Sequence, residues 1–281
     1  MTSTLHTFLH SQKNLLLHFL EGKNLVADIE QIHSDLSVKG INFLKKTTLS
    51  ILPLISLLKE KESFGLYLDS DVPPFTYKLE AKADGSFRTL LLPLDFQDFP
   101  QNEELTGKAR FIKKAQQEKA PYLSIIPLET THIDQVVNQL LHLSYQIHSK
   151  IILSSKLEYS LMMSSIPPQS GTKSLGLEEF QSHVQLEMEE FLSTFQQIQN
   201  PSSEQVISQF LRENWQLLQK RPIFYHCSCS KEYMKDFLIP LFQQDPLLLF
   251  SPEQLTKHDP FSLNCDYCKK LYSFLPSDFL P

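Results

Sequence analysis

At 281 residues and 32.5 kDa the chain exceeds the usual single domain, and its 41% hydrophobic, 11% aromatic and 21% charged residues exclude wholesale disorder, collagen-like repeats and a coiled-coil rod. Glycine is scarce, 7 residues against 17 prolines, and no glycine-rich phosphate-binding signature occurs, which argues against an ATP-driven machine. The formal charge of −6 comes without a basic patch, since residues 177–226 carry 3 basic and 7 acidic side chains; this argues against nucleic acid or an anionic membrane as the main ligand.

Met1 to Lys13 lack a cationic stretch followed by an apolar one, so no secretory signal is read. The longest apolar run, Thr47 to Leu58, is broken by Ser50, Pro53 and Ser56 and falls short of the ~20 residues that a membrane-spanning helix needs. A cytoplasmic protein is expected. Leu25, Ile29, Ile32 and Leu36 share one helical face over residues 24–36, and residues 41–58 form a longer apolar helix bent at Pro53. Strand-like runs follow at 64–68, 75–79, 87–92, 109–112 and 122–126, punctuated by turn residues such as Asp84-Gly85. A helix over 133–147 precedes strands near 150–153 and 161–165. Strands in runs with a few helices predict an α+β domain and not a doubly wound sheet.

Pro167 to Thr172 has linker composition and marks a first boundary. Beyond it Phe180, Val184, Met188, Phe191, Leu192, Phe195 and Ile198 line one face of an amphipathic helix that Pro201 ends. A capping box over Ser202 to Gln205 starts a second helix, with Ile207, Leu211, Trp215 and Leu218 as its apolar face. Such stripes are ordinarily packed core.

The chain has four cysteines, Cys227, Cys229, Cys265 and Cys268, arranged as C-x-C and, 35 residues on, C-x-x-C. In a reducing compartment two permanent disulfides are improbable, and paired short spacings read first as a metal site. Four thiolates at about 2.3 Å from one ion make a closed tetrahedral zinc site, which leaves no position for water and disfavours hydrolytic chemistry. The competing reading is free buried thiols or a structural disulfide pair. His226 and His258 are read as surface or loop residues and not as ligands. A nucleic-acid-binding zinc ribbon more often carries two C-x-x-C knuckles and a basic surface, neither of which is present. Vicinal thiolates are also good targets for oxidation, because a neighbour can resolve a sulfenic acid to a disulfide.

The residues around the cysteines resemble those of the redox-regulated 33 kDa heat-shock chaperone family. Phe224 to Glu232 is similar to that family's apolar lead-in and C-x-C-S-x-E signature; Asn264 to Cys268 with Tyr272 and Phe274 is similar to its C-x-F/Y-C-x(3)-Y-x-F signature. Weaker likeness runs along the chain. Leu5 to Leu9 resembles the family's opening helix, Pro121-Tyr122 with Pro127-Leu128 one of its strands, and Ser144-Tyr145-Gln146 its S-E-Q. The chain departs from the family pattern at Ser70 to Pro73, at Phe87 to Thr89 and around Leu161 to Met163, where family glycines are replaced; it resembles a divergent member.

The resemblance implies an α+β N-terminal domain (1–168), an amphipathic helical linker (169–222) and a C-terminal four-cysteine zinc module (223–281). It implies an ATP-independent holdase, not an enzyme, that binds one Zn(2+) per chain when reduced and captures unfolding proteins once oxidation forms Cys227–Cys229 and Cys265–Cys268 disulfides. It also implies a monomer when reduced and a homodimer when oxidised. In such a chaperone the stripe is packed in one state and uncovered in another, which makes Phe180, Val184, Met188, Phe191, Phe195 and Trp215 the client-binding candidates. Two rivals make different predictions. A constitutive zinc-stapled adaptor would not respond to oxidation, and a thiol oxidoreductase using Cys265 and Cys268 would need a metal-free thiolate in a thioredoxin-like context that the sequence does not show.

Overall fold

The computed structural model describes residues 3–96, 104–115, 120–154, 156, 159–166, 176–197, 203–212 and 214–280, without the side chains of 188–197 and 203. Strands β1 (Ser3–His10) and β2 (Leu15–Glu21) form a hairpin whose turn places Asn14 at a φ of 52°, a left-handed conformation that asparagine tolerates. Helices α1 (Lys23–Ile32) and α2 (Val38–Ile51) follow, and the Ser37 hydroxyl caps α2 by accepting from Gly40 N–H at 3.0 Å. The long apolar helix expected to bend at Pro53 instead passes there into a 3-10 turn, Leu52–Leu57. Proline has no N–H to continue the α-helical ladder. The chain continues through β3 (Ser63–Val72), β4 (Pro74–Lys82), β5 (Ser86–Leu92), β6 (Glu104–Lys114), β7 (Tyr122–Thr130), α3 (Ile133–Tyr145), β8 (Ser149–Leu153) and β9 (Tyr159–Ser165). Helices α4 (Leu177–Gln197) and α5 (Ser203–Arg212) lead to β10 (Gln216–Tyr225).

The ten strands form one sheet in the order β7-β6-β3-β4-β5-β10-β1-β2-β9-β8. Neighbours are antiparallel except at the centre, where β10 and β5 run parallel through Phe224 opposite Ser86 and Tyr225 opposite Phe87. Gly85 permits that junction. Its φ is +90°, its carbonyl accepts from Phe224 N–H at 3.1 Å, and a Cβ there would lie 1.7 Å from the Pro222 carbonyl oxygen. The β1/β2/β9 part of the sheet is buried on both faces. Leu5, Leu20 and Met162 face the main core with α1, α2 and α3, while Phe8, Leu17, Phe19, Leu161 and Met163 face a second cluster containing Phe180, Val184, Val206, Phe210 and Trp215. In the β3/β4/β5/β6 part, Phe64, Leu66, Tyr77, Leu79 and Phe111 point into the main core. Its opposite face carries ion pairs, Arg88–Glu80 and Arg110–Asp69, each at 2.6 Å. This is the α+β architecture that the strand and helix pattern predicts.

Three expectations are corrected. Leu5 to Leu9 is a strand and not a helix, because it pairs with β10 on one side and β2 on the other and is covered on both faces, which hides the alternation of a half-buried strand. The second amphipathic helix ends at Arg212, and its buried face is Val206 and Phe210; Leu211 is exposed, Trp215 lies beyond the helix, and Leu218 is an exposed residue of β10. The segment 169–222 is therefore not wholly helical, since residues from Gln216 onward complete the sheet between β1 and β5. Pro167 to Thr172, Ile198 and Ser202 lie outside the described residues.

The chain divides into two compact units, Met1–Tyr225 and His226–Pro281. The second contains α6 (Lys231–Gln244), α7 (Pro252–Lys257) and a hairpin of β11 (Phe261–Asn264) with β12 (Leu271–Phe274). Short 3-10 turns, Pro246–Leu248 and Pro276–Phe279, flank these elements. Its core is Phe250, Cys265, Tyr272, Phe274 and Phe279, with three further cysteines partly buried against it; α6 buries no residue fully. No helix among the described residues is long and apolar enough to cross a membrane.

Candidate metal centre

The C-x-x-C segment is the turn of the β11–β12 hairpin. Cys265 N–H donates to the Lys270 carbonyl at 3.0 Å and Lys269 N–H to the Cys265 carbonyl at 2.8 Å, with Lys269 left-handed at a φ of 60°. Backbone N–H groups of Tyr267 and Cys268 point at the Cys265 sulfur and that of Lys270 at the Cys268 sulfur. A turn of this kind offers two sulfurs on one side and backbone dipoles behind them. The C-x-C half is held by the start of α6. Ser230, directly after Cys229, caps that helix by accepting from Tyr233 N–H at 3.1 Å. Glu232 sits in its first turn, where its backbone N–H and the Ser230 hydroxyl hold the carboxyl below its ordinary range. The S-x-E of the first signature thus fixes where α6 begins and so where Cys227 and Cys229 point.

The four sulfurs converge. All lie within 4.8 Å of one another, with Cys227 Sγ 3.8 Å from Cys265 Sγ and Cys229 Sγ 3.3 Å from Cys268 Sγ, and none is joined in a disulfide. A tetrahedron with metal–sulfur bonds of about 2.3 Å has edges of about 3.8 Å, so the donor set and spacing fit a zinc ion. Thiolates at these separations repel one another, so they do not all ionise of their own accord. The hydrogen bond between Cys227 and Cys265 holds the Cys265 thiol low and pushes that of Cys227 up, while burial pushes Cys268 up. A dication removes that conflict by favouring four thiolates together.

Around the sulfurs, β12 alternates as a strand should: Tyr272 and Phe274 are buried, Leu271 and Ser273 exposed. The Tyr272 hydroxyl is 3.0 Å from the Cys229 carbonyl oxygen and 3.1 Å from Cys229 Sγ. Phe274 packs against Phe261 at 5.4 Å and Phe279 at 5.8 Å between ring centres. Lys231 at the start of α6 pairs with Asp278 in the last turn at 2.9 Å, which holds the Asp278 carboxyl below its ordinary range. His226 and His258 are exposed, and His258 terminates α7 at a φ of 59°. The contact of Tyr272 with Cys229 was not legible in the sequence, although its recurrence in the second signature flagged the residue.

The client-binding candidates are in a different place. Phe180, Val184 and Trp215 are buried in the second cluster of the first unit, and the side chains of Met188, Phe191 and Phe195 lie outside the described residues. Sequence reasoning missed Glu187, which is 5% exposed within that cluster. Its carboxylate accepts from Trp215 Nε1–H at 3.2 Å and pairs with Lys13. A polar residue on an otherwise apolar helical face was the only signal available.

Four cysteine sulfurs that converge so closely, on a small module that follows an α+β unit, define a protein with a cysteine cluster that could hold one metal ion. A family model described as Hsp33 protein matches residues 3–275, and the chain belongs to the Hsp33 family of redox-regulated chaperones. Among its relatives are the 33 kDa chaperonin of Lactobacillus delbrueckii subsp. bulgaricus, 22% identical over 96% of this chain and 94% of the relative, and that of Lactobacillus johnsonii, 24% identical over 93% and 91%. The solved structure of the 33 kDa chaperonin (heat shock protein 33 homolog) of Thermotoga maritima shares the fold with a TM-score of 0.67 at 15% identity, covering 99% of this chain and 96% of that one.

Proposed function

We propose that this chain is an ATP-independent holdase, not an enzyme, that acts in the cytoplasm and is activated when oxidation dismantles one zinc site built from Cys227, Cys229, Cys265 and Cys268. The observation that carries the reading is the convergence within 4.8 Å of four cysteine sulfurs, none in a disulfide, in a module whose longest helix buries nothing fully. A bound zinc ion supplies the cross-link that closes the loop between the two cysteine pairs, worth roughly 10–16 kcal/mol of apparent binding energy in small metal-stapled domains. The cysteines are also the oxidisable groups. Disulfides within each vicinal pair, Cys227–Cys229 and Cys265–Cys268, turn four anionic donors into neutral sulfurs that no longer ligate, and a module of this size retains too little buried surface to stay folded.

The effect reaches the first unit through the chain itself. Only His226 separates Cys227 from the end of β10, and Trp215 immediately precedes that strand. Loosening there releases the helices that Trp215 packs with, and uncovers Phe180, Val184, Met188, Phe191, Phe195 and Trp215 to unfolding client proteins. The reduced protein is then a monomer and the oxidised one pairs into a homodimer. The test is suppression of aggregation of a chemically unfolded client, without nucleotide, before and after peroxide. Activity confined to the oxidised protein, with Trp215 emission shifted to the red, supports the reading. Equal suppression by both forms, or unchanged Trp215 emission in oxidised protein whose module has unfolded, overturns it.

A further inference from the structure

The sulfurs do not share the same donors. Cys265 and Cys268 receive backbone N–H groups, and Cys227 receives that of Cys229, whereas a phenol reaches Cys229: Tyr272 Oη lies 3.1 Å from its Sγ. The hydroxyl has a single hydrogen and two acceptors, the other being the Cys229 carbonyl oxygen at 3.0 Å. An anionic thiolate is a far better acceptor than the neutral carbonyl, so in the reduced cluster the hydrogen points to sulfur. Lys270 Nζ lies 5.2 Å from the centre of the Tyr272 ring, and a cation over that face makes the phenol a stronger donor. Tyr272 is itself buried and held on β12, so the donor is aimed by the hairpin and not by a mobile side chain.

We propose that Tyr272 is a positioning residue of the redox centre, whose hydroxyl restrains oxidation of Cys229 by donating to its sulfur. The inference rests on the oxidative switch proposed above and names one determinant of its sensitivity. With a hydroperoxide as oxidant, a thiolate attacks one peroxide oxygen. The S–O bond forms, the O–O bond breaks, and hydroxide leaves with the electron pair. A neighbouring thiolate then attacks the sulfenic sulfur, the S–S bond forms, and a second hydroxide leaves; the two sulfurs together lose the two electrons that the peroxide gains. The first step needs an available sulfur lone pair. A hydrogen bond to that sulfur occupies lone-pair density that the attack requires, so removing the donor speeds attack by about three- to tenfold. Once the disulfide has formed the sulfur is a poor acceptor, and the same hydroxyl turns to the carbonyl oxygen beside it.

The experiment uses the full zinc-loaded chain, a bolus of hydrogen peroxide, and timed thiol trapping read by mass spectrometry at each cysteine. Tyr272→Phe keeps the ring in the Phe274 and Phe279 core and removes only the hydroxyl. Expected are about three- to tenfold faster loss of the Cys229 thiol, with unchanged zinc content and melting temperature before oxidant is added. A 3-fluorotyrosine placed at 272, a stronger donor, slows Cys229 below the unmodified chain. Equal Cys229 rates in Tyr272→Phe and the parent overturn the proposal. So does zinc loss in Tyr272→Phe before any oxidant, which makes the hydroxyl merely structural, or a fluorotyrosine that fails to slow the reaction. Parent thiols that resist peroxide altogether bring down the switch as well, whereas equal rates in a parent that does switch bring down only the role of Tyr272.

Discussion

The first unit closes its core with hydrocarbon on both sides of a sheet, whereas the second closes its core on sulfur. In the first, Phe8, Leu17, Phe19 and Met163 are sealed by Phe180, Phe210 and Trp215, and the opposite face by α1, α2 and α3. In the second, Cys265 is itself a core residue beside Phe250, Tyr272 and Phe274, and α6 leaves Tyr233, Phe237 and Leu241 exposed along its length. Hydrophobic burial is not chemically switchable under cellular oxidants; thiolate ligation is. A protein that must keep one part folded while another responds to oxidation gains from assigning the two kinds of cohesion to different parts of the chain.

The largest expected effect tests that division directly. With the proposed zinc as the module's cross-link, a chelator or Cys265→Ser should unfold residues 226–281 and leave the β3 to β7 amides protected, because roughly 10 kcal/mol or more of zinc-linked stability is lost from one unit only. Amide exchange compared across 63–130 and 231–274 measures it, and loss of protection in both units would mean that the first is not self-sufficient.

A second effect belongs to the first unit alone. His18 lies between Thr7 Oγ1 at 3.3 Å and Ser164 Oγ at 3.4 Å, and burial holds its imidazole down at about 3 from the usual 6.5. Between those values the unfolded chain binds the proton and the native one does not, so stability is whole above pH 6.5 and falls as pH drops towards 3. The loss reaches roughly 4–5 kcal/mol at the lower end. Urea denaturation followed through Trp215 should show this slope, and His18→Gln should flatten it.

Matched truncations sharpen the contrast further. Phe210→Ala and Phe274→Ala each remove a buried ring at a cost of about 3–5 kcal/mol. The first should lower the urea midpoint and leave zinc content at one equivalent, whereas the second should lower zinc retention under mild chelation, since the module has little reserve. The smallest effect is on the polar face of the sheet. The Arg110–Asp69 pair is 43% and 39% exposed, so Asp69→Asn should cost at most about 1 kcal/mol and vanish in high salt.

The cysteine cluster was readable from spacing, because C-x-C and C-x-x-C are local arrangements that a single turn of chain can realise. The strands β3 to β7 were readable for a similar reason: in β3 the buried Leu66 and Leu68 alternate with half-exposed Tyr67 and Asp69, and Asp84-Gly85 marks a turn. β1 was misread as helix because burial on both faces erases alternation. The apolar face of α5 was misplaced because Ile207 and Leu211 fit a helical stripe as well as Val206 and Phe210 do, and only packing against Phe8 and Trp215 distinguishes them.

By itself the sequence determined the pairing of the cysteines in two short motifs, the α+β class and the positions of the strands from β3 to β9, all of which follow from side-chain type at short separation. Only the tertiary structure decided that residues 216–225 complete the sheet against β1 and β5, and that Glu187 reaches Trp215 across 28 residues. It alone decided that Tyr272 donates to a sulfur 43 residues away. These are pairings between distant segments, and their free energy depends on which surfaces the rest of the chain has already buried, a quantity that no local pattern encodes.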